Sequence, residues 1–483
     1  MHFAPAISFL GRMLGLFAAA MLAPAAVALS YGELRATYIF LATAAVTVFF
    51  GIGMVFATQG TTRRHGRRSD LLLAIVSWPV LAAFGAAPFF LLDSAATPVD
   101  AFFEALSGLT TTGATVLVGL DSLGRGLLFW RAWLQWLGGF GTIILMVSVL
   151  PMLGVGGMQI FVSAMPYGDH ATLGARLKRL ALTLASLYGG LTILCAFALW
   201  VAGMSGFDAV AHALSTVSTG GFSTHDAGIG GFDNPAIEGV LMVFMLAGAV
   251  NITLYWALLH GRFRAFIADP EFRPLLLTVL FATVAAAYLL VREGDTSYLD
   301  ALRHGAFVAV SALTTTGFVN ESPVAWPAAV SILLLALIFI GGSSGSTAGG
   351  IKIMRARLAL AQGRRELARL SQPHAVVGVR YGAGMVTEPA LQALSSFFIL
   401  FSAAFGALAI ALAALGLDAV DAVSTALAIL ANAGAGLPLV SGAETTYAML
   451  PQALKWVLCL GMLVGRLEVV AVVALFAPMY WKR

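Results

Sequence analysis

Four stretches of the 483-residue chain end in small or hydroxylated residues followed by a glycine, each after a short apolar run that begins near an aspartate. The first runs from Asp100 and ends Thr110-Thr111-Thr112-Gly113; the second runs from Asp208 and ends Ser218-Thr219-Gly220-Gly221. The third ends Thr314-Thr315-Thr316-Gly317, and the fourth runs from Asp421 to Ala431-Asn432-Ala433-Gly434. In three of them the Asp stands 13 residues before the Gly; in the third the nearest, Asp300, lies one turn earlier. Glycine admits positive φ, so successive carbonyls can be aimed the same way. Threonine is small, and its hydroxyl adds a ligand. Four such turns about one axis make rings of carbonyl oxygens, which replace the hydration shell of K⁺. The candidate ligands are Thr111, Thr112 and Gly113; Thr219, Gly220 and Gly221; Thr315, Thr316 and Gly317; and Asn432, Ala433 and Gly434. An Asp near each short helix start suits the positive dipole end, and the opposite ends then favour a cation. The alternative for any one cluster is close packing between helices. Four clusters in matching positions favour the ring.

The elements that must hold such turns are membrane helices. Hydrophobic residues make up 60% of the chain and charged residues only 10%, against roughly 25% charged in a soluble domain. This excludes a water-soluble globular enzyme. Apolar runs of spanning length lie near 9–29, 36–57, 71–92, 127–150, 180–202, 237–260, 275–291, 326–353, 391–416 and 452–479. Shorter apolar runs near 98–110, 206–217, 299–313 and 418–431 suit re-entrant segments. The unit is therefore span, short helix, Thr/Gly turn, span. The predicted fold is all-α, with two extra N-terminal helices (1–58) and four repeats, 70–150, 178–261, 273–358 and 389–480, around a pseudo-fourfold pore. Like topology in each repeat puts that axis along the membrane normal. The first 30 residues mimic a signal peptide, but the charged n-region is weak and their removal upsets the ten-span parity, so they are read as a retained helix.

Placing the N-terminus in the cytoplasm puts 19 of the 27 basic residues in inner loops, among them Arg63, Arg176, Arg264, Arg357 and Arg369. Arg131 and Lys455 fall in the outer group, and Lys352, Arg355 and Arg357 mark the cytoplasmic exit. The positive-inside rule supports this orientation. Sixteen of the 23 acids lie outside, which concentrates cations at an entrance or merely fills loops that basic residues avoid.

Two features suggest gates. Gly341 to Gly350, which includes Gly345, Ser346, Thr347, Ala348, Gly349 and Gly350, is too small and too polar to hold a regular helix in lipid. It is read as a break lining a cavity, weakly held for want of side-chain bulk, with Lys352 just beyond; the alternative is a glycine-rich helix in a tight contact. Arg466 lies mid-span, and Glu468 two residues on does not share its helix face. Either Arg466 faces the permeation path as a positive barrier, or it is a structural ion pair whose loss strands an acid such as Glu468.

No nucleotide-binding, hydrolase or metal-cluster motif stands out. The glycine run lacks the Gly-Lys-Ser/Thr ending of a P-loop, and Cys195 and Cys459 sit in apolar runs. Across essentially its whole length the chain resembles the TrkH potassium-uptake subunits of the Trk/Ktr/HKT superfamily. The resemblance rests on the four turns, on Gly341-Gly-Ser-Ser-Gly-Ser-Thr-Ala-Gly-Gly-Ile-Lys352, and on Gly465-Arg466-Leu-Glu468. It implies K⁺ as the transported and filter-bound ion with no organic cofactor, an intramembrane gating loop, and the bacterial inner membrane as location. It also implies a homodimer and a TrkA-like cytosolic nucleotide-binding regulator. The seven basic residues between 352 and 380 would suit docking to such a regulator, or equally to anionic lipid. A filter Gly in all four repeats goes with K⁺ selectivity in that family, and the fourth repeat, with Asn432-Ala433-Gly434, departs from the Thr-rich form. A symporter coupling K⁺ to H⁺ or Na⁺ is the competing reading, and nucleic acid is not an expected partner.

Overall fold

Long apolar runs become helices because in lipid every backbone polar group must find its partner within the segment. The computed structural model describes residues 4–59, 67–146, 173–293, 297–321, 326–372, 377–382, 384–434 and 446–476, and these are mostly helical. Helices α1 (Ala4–Ala20) and α2 (Leu22–Ser30) run on as one 27-residue span, and α3 (Leu34–Ala57) packs against it. At that crossing a Cβ on Gly11 or Gly51 would lie 2.5 or 2.7 Å from the other's carbonyl oxygen, so only glycine fits.

Four like units follow. The first is α4 (Arg67–Leu91), the short helix α5 (Pro98–Leu109), a turn, and α6 (Arg125–Ile144). The second is α7 (Leu173–Val201), α8 (Gly206–Val217), a turn, then α9 (Pro235–Ala249) and α10 (Ile252–Leu259). After α11 (Phe263–Ile267) come α12 (Phe272–Glu293), α13 (Tyr298–Leu313), α14 (Ala328–Ile340) and α15 (Ile353–Ser371). A two-residue antiparallel pair, β1 (Arg380–Tyr381) and β2 (Gly384–Met385), leads to α16 (Glu388–Ala414), α17 (Ala419–Leu430), α18 (Gln452–Arg466) and α19 (Val469–Phe476). Among the described residues this hairpin is the departure from an all-helical chain.

Each short helix is capped at its start. Thr97, Ser205 and Ser297 accept from the backbone N–H of Asp100, Asp208 and Asp300, and their hydroxyls donate back to those carboxylates at 2.6–2.9 Å. Asp418 caps the fourth itself. The third short helix has 16 residues where the others have 12, which is why Asp300 stands one turn further from its glycine.

Among the described residues six helical stretches, α1 with α2 counted as one, are each long and apolar enough to cross a membrane alone, and α9 with α10 makes a seventh if counted as one bent span. The sequence reading of 237–260 as an unbroken span is corrected here. The chain bends by 97° between α9 and α10, and Asn251 caps α10 by accepting from the Thr253 N–H at 3.0 Å. The last span is interrupted too, at Leu467-Glu468, where Glu468 has φ 67°. The break expected near Gly341–Gly350 is present, since helix stops at Ile340 and resumes at Ile353.

Candidate functional site: a ring of four turns and the loop against it

All four short helices end in the same way. The residue after the helix cap, Thr111, Thr219, Thr315 or Asn432, is left-handed with φ between 49° and 54°. The next residue's N–H reaches back six positions inclusive: Thr112 to Ser107, Gly220 to Ser215, Thr316 to Ser311 and Ala433 to Ala428, at 2.8–2.9 Å. This is the Schellman closure of a helix C-terminus, with Thr or Asn where glycine is usual. Two residues on, Gly113, Gly221, Gly317 and Gly434 are left-handed again, with φ 79–84°.

The four turns close on one another. A Cβ on Gly113 would strike the Gly220 carbonyl oxygen, and one on Gly221 the Thr316 oxygen. A Cβ on Gly317 would lie 2.7 Å from the Ala433 oxygen, and one on Gly434 2.8 Å from the Thr112 oxygen. Unit one thus meets two, two meets three, three meets four, and four returns to one. The twelve turn residues singled out from sequence are therefore brought together, and Thr111, Thr112, Thr219, Thr315, Thr316, Asn432 and Ala433 are all buried.

Asn432 accounts for the departure of the fourth turn. Asn tolerates left-handed φ better than other non-glycine residues. Its Nδ2 donates to Thr112 Oγ1 at 2.9 Å and to the Met462 carbonyl at 3.0 Å, which ties unit four to unit one and to α18.

Gly341–Gly350 lies against this ring. Thr219 Oγ1 donates to Thr347 Oγ1 at 3.2 Å, the Gly349 N–H donates to Thr315 Oγ1 at 2.7 Å, and the Gly350 N–H donates to the Ala431 carbonyl at 3.1 Å. Thr347 Oγ1 also donates to the Gly248 carbonyl at 3.0 Å, and the Ser343 N–H to that of Ala249 at 2.9 Å. The Ser344 N–H donates to Glu271 Oε2 at 2.7 Å, while Tyr381 on the hairpin donates its O–H to Glu271 Oε1 at 2.8 Å. Burial pushes the Glu271 carboxyl up to about 7, against the hydrogen bonds from Ser344 and Tyr381 that pull it down. Ser343, Ser344, Ser346, Thr347 and Ala348 are all buried. The expectation of a weakly held segment is therefore wrong. Small side chains let the backbone itself approach three of the four turns, and its hydrogen bonds hold it.

Arg466 is 2% exposed and donates from Nη1 to the Thr347 carbonyl at 2.9 Å. Glu468 pairs instead with Arg355 at 2.6 Å, and the Arg355 guanidinium lies 4.0 Å over the Phe397 ring. Loss of Arg466 would not strand Glu468. Lys352, left-handed at φ 76°, turns inward and donates to the Ala348 carbonyl. Lys352 and Arg355 are thus buried beside the loop, a correction to their reading as markers of an exit. Arg365 is buried as well, paired with Glu388 at 2.5 Å, which leaves Arg357, Arg364 and Arg380 as exposed basic residues near the hairpin.

Several supports escaped the sequence reading. Arg131 and Lys455, counted with the outer group, are buried. Arg131 Nε donates to Glu104 at 2.8 Å and its Nη1 to the Ser223 carbonyl at 2.8 Å, so it braces the segments beyond the first two turns. Lys455 pairs with Asp100 at 2.5 Å and joins unit four to unit one. Gln135 on α6 donates to the Gly220 carbonyl and accepts from Ser215 Oγ, both at 2.7 Å. A glutamine and an arginine four apart on one apolar helix were the available signal, since unpaired polar groups there are costly.

A family model described as TrkH, cation transport protein, matches residues 38–483. The Trk system potassium uptake protein TrkH of Escherichia coli K12 is 41% identical over the full length of both chains. TrkG of the same strain, also a Trk system potassium uptake protein, is 34% identical over 98% of this chain and 97% of its own. The crystal structure of the potassium transporter TrkH from Vibrio parahaemolyticus superposes with a TM-score of 0.91 at 38% identity, covering all of both chains. With the ring, the loop and the whole-length match in agreement, the chain belongs to the TrkH family of cation transport proteins.

Proposed function

We propose that this chain mediates potassium uptake across the bacterial inner membrane, as its relatives are named for doing. The observation that carries the proposal is the cyclic contact of the four turns, each glycine against the next unit's carbonyl. A closed ring of backbone oxygens, with four helix C-termini aimed at it, suits a dehydrated monovalent cation. In this reading Thr111–Gly113, Thr219–Gly221, Thr315–Gly317 and Asn432–Gly434 form the filter, and K⁺ is cargo. Gly345–Gly350 and Lys352 block the path in the arrangement described, and Arg466 adds a positive barrier. Opening would require the loop to leave Thr219, Thr315 and Arg466.

The N-terminus is assigned to the cytoplasm, which puts the β1–β2 hairpin and α15 on the cytoplasmic face. A TrkA-like nucleotide-binding regulator would dock there on Arg357, Arg364 and Arg380, and the Tyr381–Glu271–Ser344 chain of hydrogen bonds offers it a mechanical link to the loop. Homodimer formation is part of the same reading.

Purified protein in liposomes, loaded with K⁺ and assayed by ⁸⁶Rb⁺ uptake, tests the proposal. Uptake should follow the K⁺ gradient alone. Uptake that requires an imposed H⁺ or Na⁺ gradient would favour symport, and no uptake above empty liposomes would overturn the assignment.

A further inference from the structure

A cavity of about 20 Å³ lies between the loop, α16 and α18, and its charged lining is Lys352, Arg355, Arg466 and Glu468. Three cations thus face one carboxylate. Arg355 occupies Glu468 at 2.6 Å, and Lys352 donates to the Ala348 carbonyl. Arg466 spends only Nη1, on the Thr347 carbonyl; its Nε and Nη2 are buried with no partner among the described residues. A buried guanidinium with two idle donors is costly unless something negative or hydrogen-bonding meets it. Water would satisfy the donors and leave the charge uncompensated.

We propose that this cavity is a binding site for one small inorganic anion of the halide class, held by Arg466 from the last span and Lys352 from the loop. The cavity has room for one compact ion, since it exceeds the space of a single water, whose own occupied volume is about 10–15 Å³. Charge selects the sign, because Glu468 is already engaged. The anion would sit between loop and helix and would offset part of the field that Arg466 directs at the ring. The proposal does not rest on the turns being a potassium filter.

Bromide is the probe. Crystals of the full chain are soaked in sodium bromide and measured above the bromine edge. An anomalous peak is expected in the cavity within hydrogen-bond reach of Arg466 Nε and Nη2, and it should vanish in Arg466→Gln. No peak in the wild type, or a peak that survives Arg466→Gln, overturns the site. Should Arg466→Gln not fold, thermal melting of the wild type decides the matter. Tm should be higher in bromide than in methanesulfonate at equal ionic strength, since a ligand of the folded state stabilises it, and Lys352→Met should weaken that dependence about tenfold in concentration. Equal Tm in the two salts, or an undiminished dependence in Lys352→Met, overturns it.

Discussion

Arg466 Nη1 donates to the carbonyl of Thr347 at 2.9 Å, so the one arginine in the middle of the last span is fastened to the loop rather than to an acid. Two consequences follow from that bond. It contributes to holding the loop against the ring, at about 1.5–3 kcal/mol for a hydrogen bond from a charged donor. In the proposed path it also keeps a positive charge, unpaired with any acid, next to a cation leaving the ring, where low dielectric magnifies repulsion. On that reading both terms oppose K⁺ flux. Arg466→Ala should therefore raise ⁸⁶Rb⁺ flux per molecule several-fold, while Arg466→Lys keeps the charge and stays near wild type. Flux from monodisperse protein in liposomes checks this, and unchanged or lower flux in Arg466→Ala would remove Arg466 from the gate.

The ring glycines carry two constraints at once. Gly113 has φ 79°, and a side chain there would meet the Gly220 carbonyl. A left-handed non-glycine residue costs roughly 1–2 kcal/mol, and the collision adds to it by displacing a carbonyl. Gly113→Ser should lower the K⁺ over Na⁺ flux ratio more than it lowers the amount of protein in the membrane. Paired K⁺ and Na⁺ flux at matched protein levels reads the ratio; an unchanged ratio would mean that Gly113 serves packing alone.

Asn432 separates backbone ease from bridging. Its left-handed φ of 51° suits Asn or Gly, but only the side-chain amide reaches Thr112 and Met462. Asn432→Gly should relieve the backbone and lose the bridge. Asn432→Ala should lose both, and be the less stable of the two by about 1 kcal/mol. Melting of the two variants in detergent orders them. If Asn432→Ala melts no lower than Asn432→Gly, the left-handed position is not what selects Asn.

How much of this was legible in the sequence depends on the range of the interaction. The four turns were legible because each is local: a cap, an apolar run of about three turns, then hydroxyls and a glycine. Even the misplaced Asp300 marked a real extra turn in α13. The glycine-rich break was legible for the same reason. Partners were not. Arg355 and Glu468 are 113 positions apart, and Lys455 and Asp100 are 355 apart; nothing in either neighbourhood announces the other. Charge counting placed Arg131 and Lys455 on the outer side because it sees proximity to span ends, not burial. The bend at Asn251 had a local signal, a capping residue inside an apolar run, which hydropathy averages away.

Glu271 gives the last prediction, because it joins the loop to the hairpin through Ser344 and Tyr381. Burial pushes its carboxyl up to about 7 from an ordinary value of 4.5. The folded protein therefore holds this proton more tightly than the unfolded chain does. Below about pH 4.5 both states are protonated, and the group's contribution is fully favourable. Between about pH 4.5 and 7 the unfolded chain ionises first, so stability falls as pH rises, and above about 7 the loss is complete. Asp269 adds repulsion of the same sign, whereas Lys352 opposes it. Glu271→Gln keeps a side chain that can accept from Ser344 and cannot ionise. Its Tm in detergent should exceed that of the wild type at pH 8 and match it at pH 5, with the gap opening across that interval. Tyr381→Phe removes the hydrogen bond that favours the carboxylate, so it should widen the wild-type fall in Tm. A difference between Glu271→Gln and wild type that does not vary with pH would show that this carboxyl does not titrate there, and that the link between hairpin and loop is insensitive to protons.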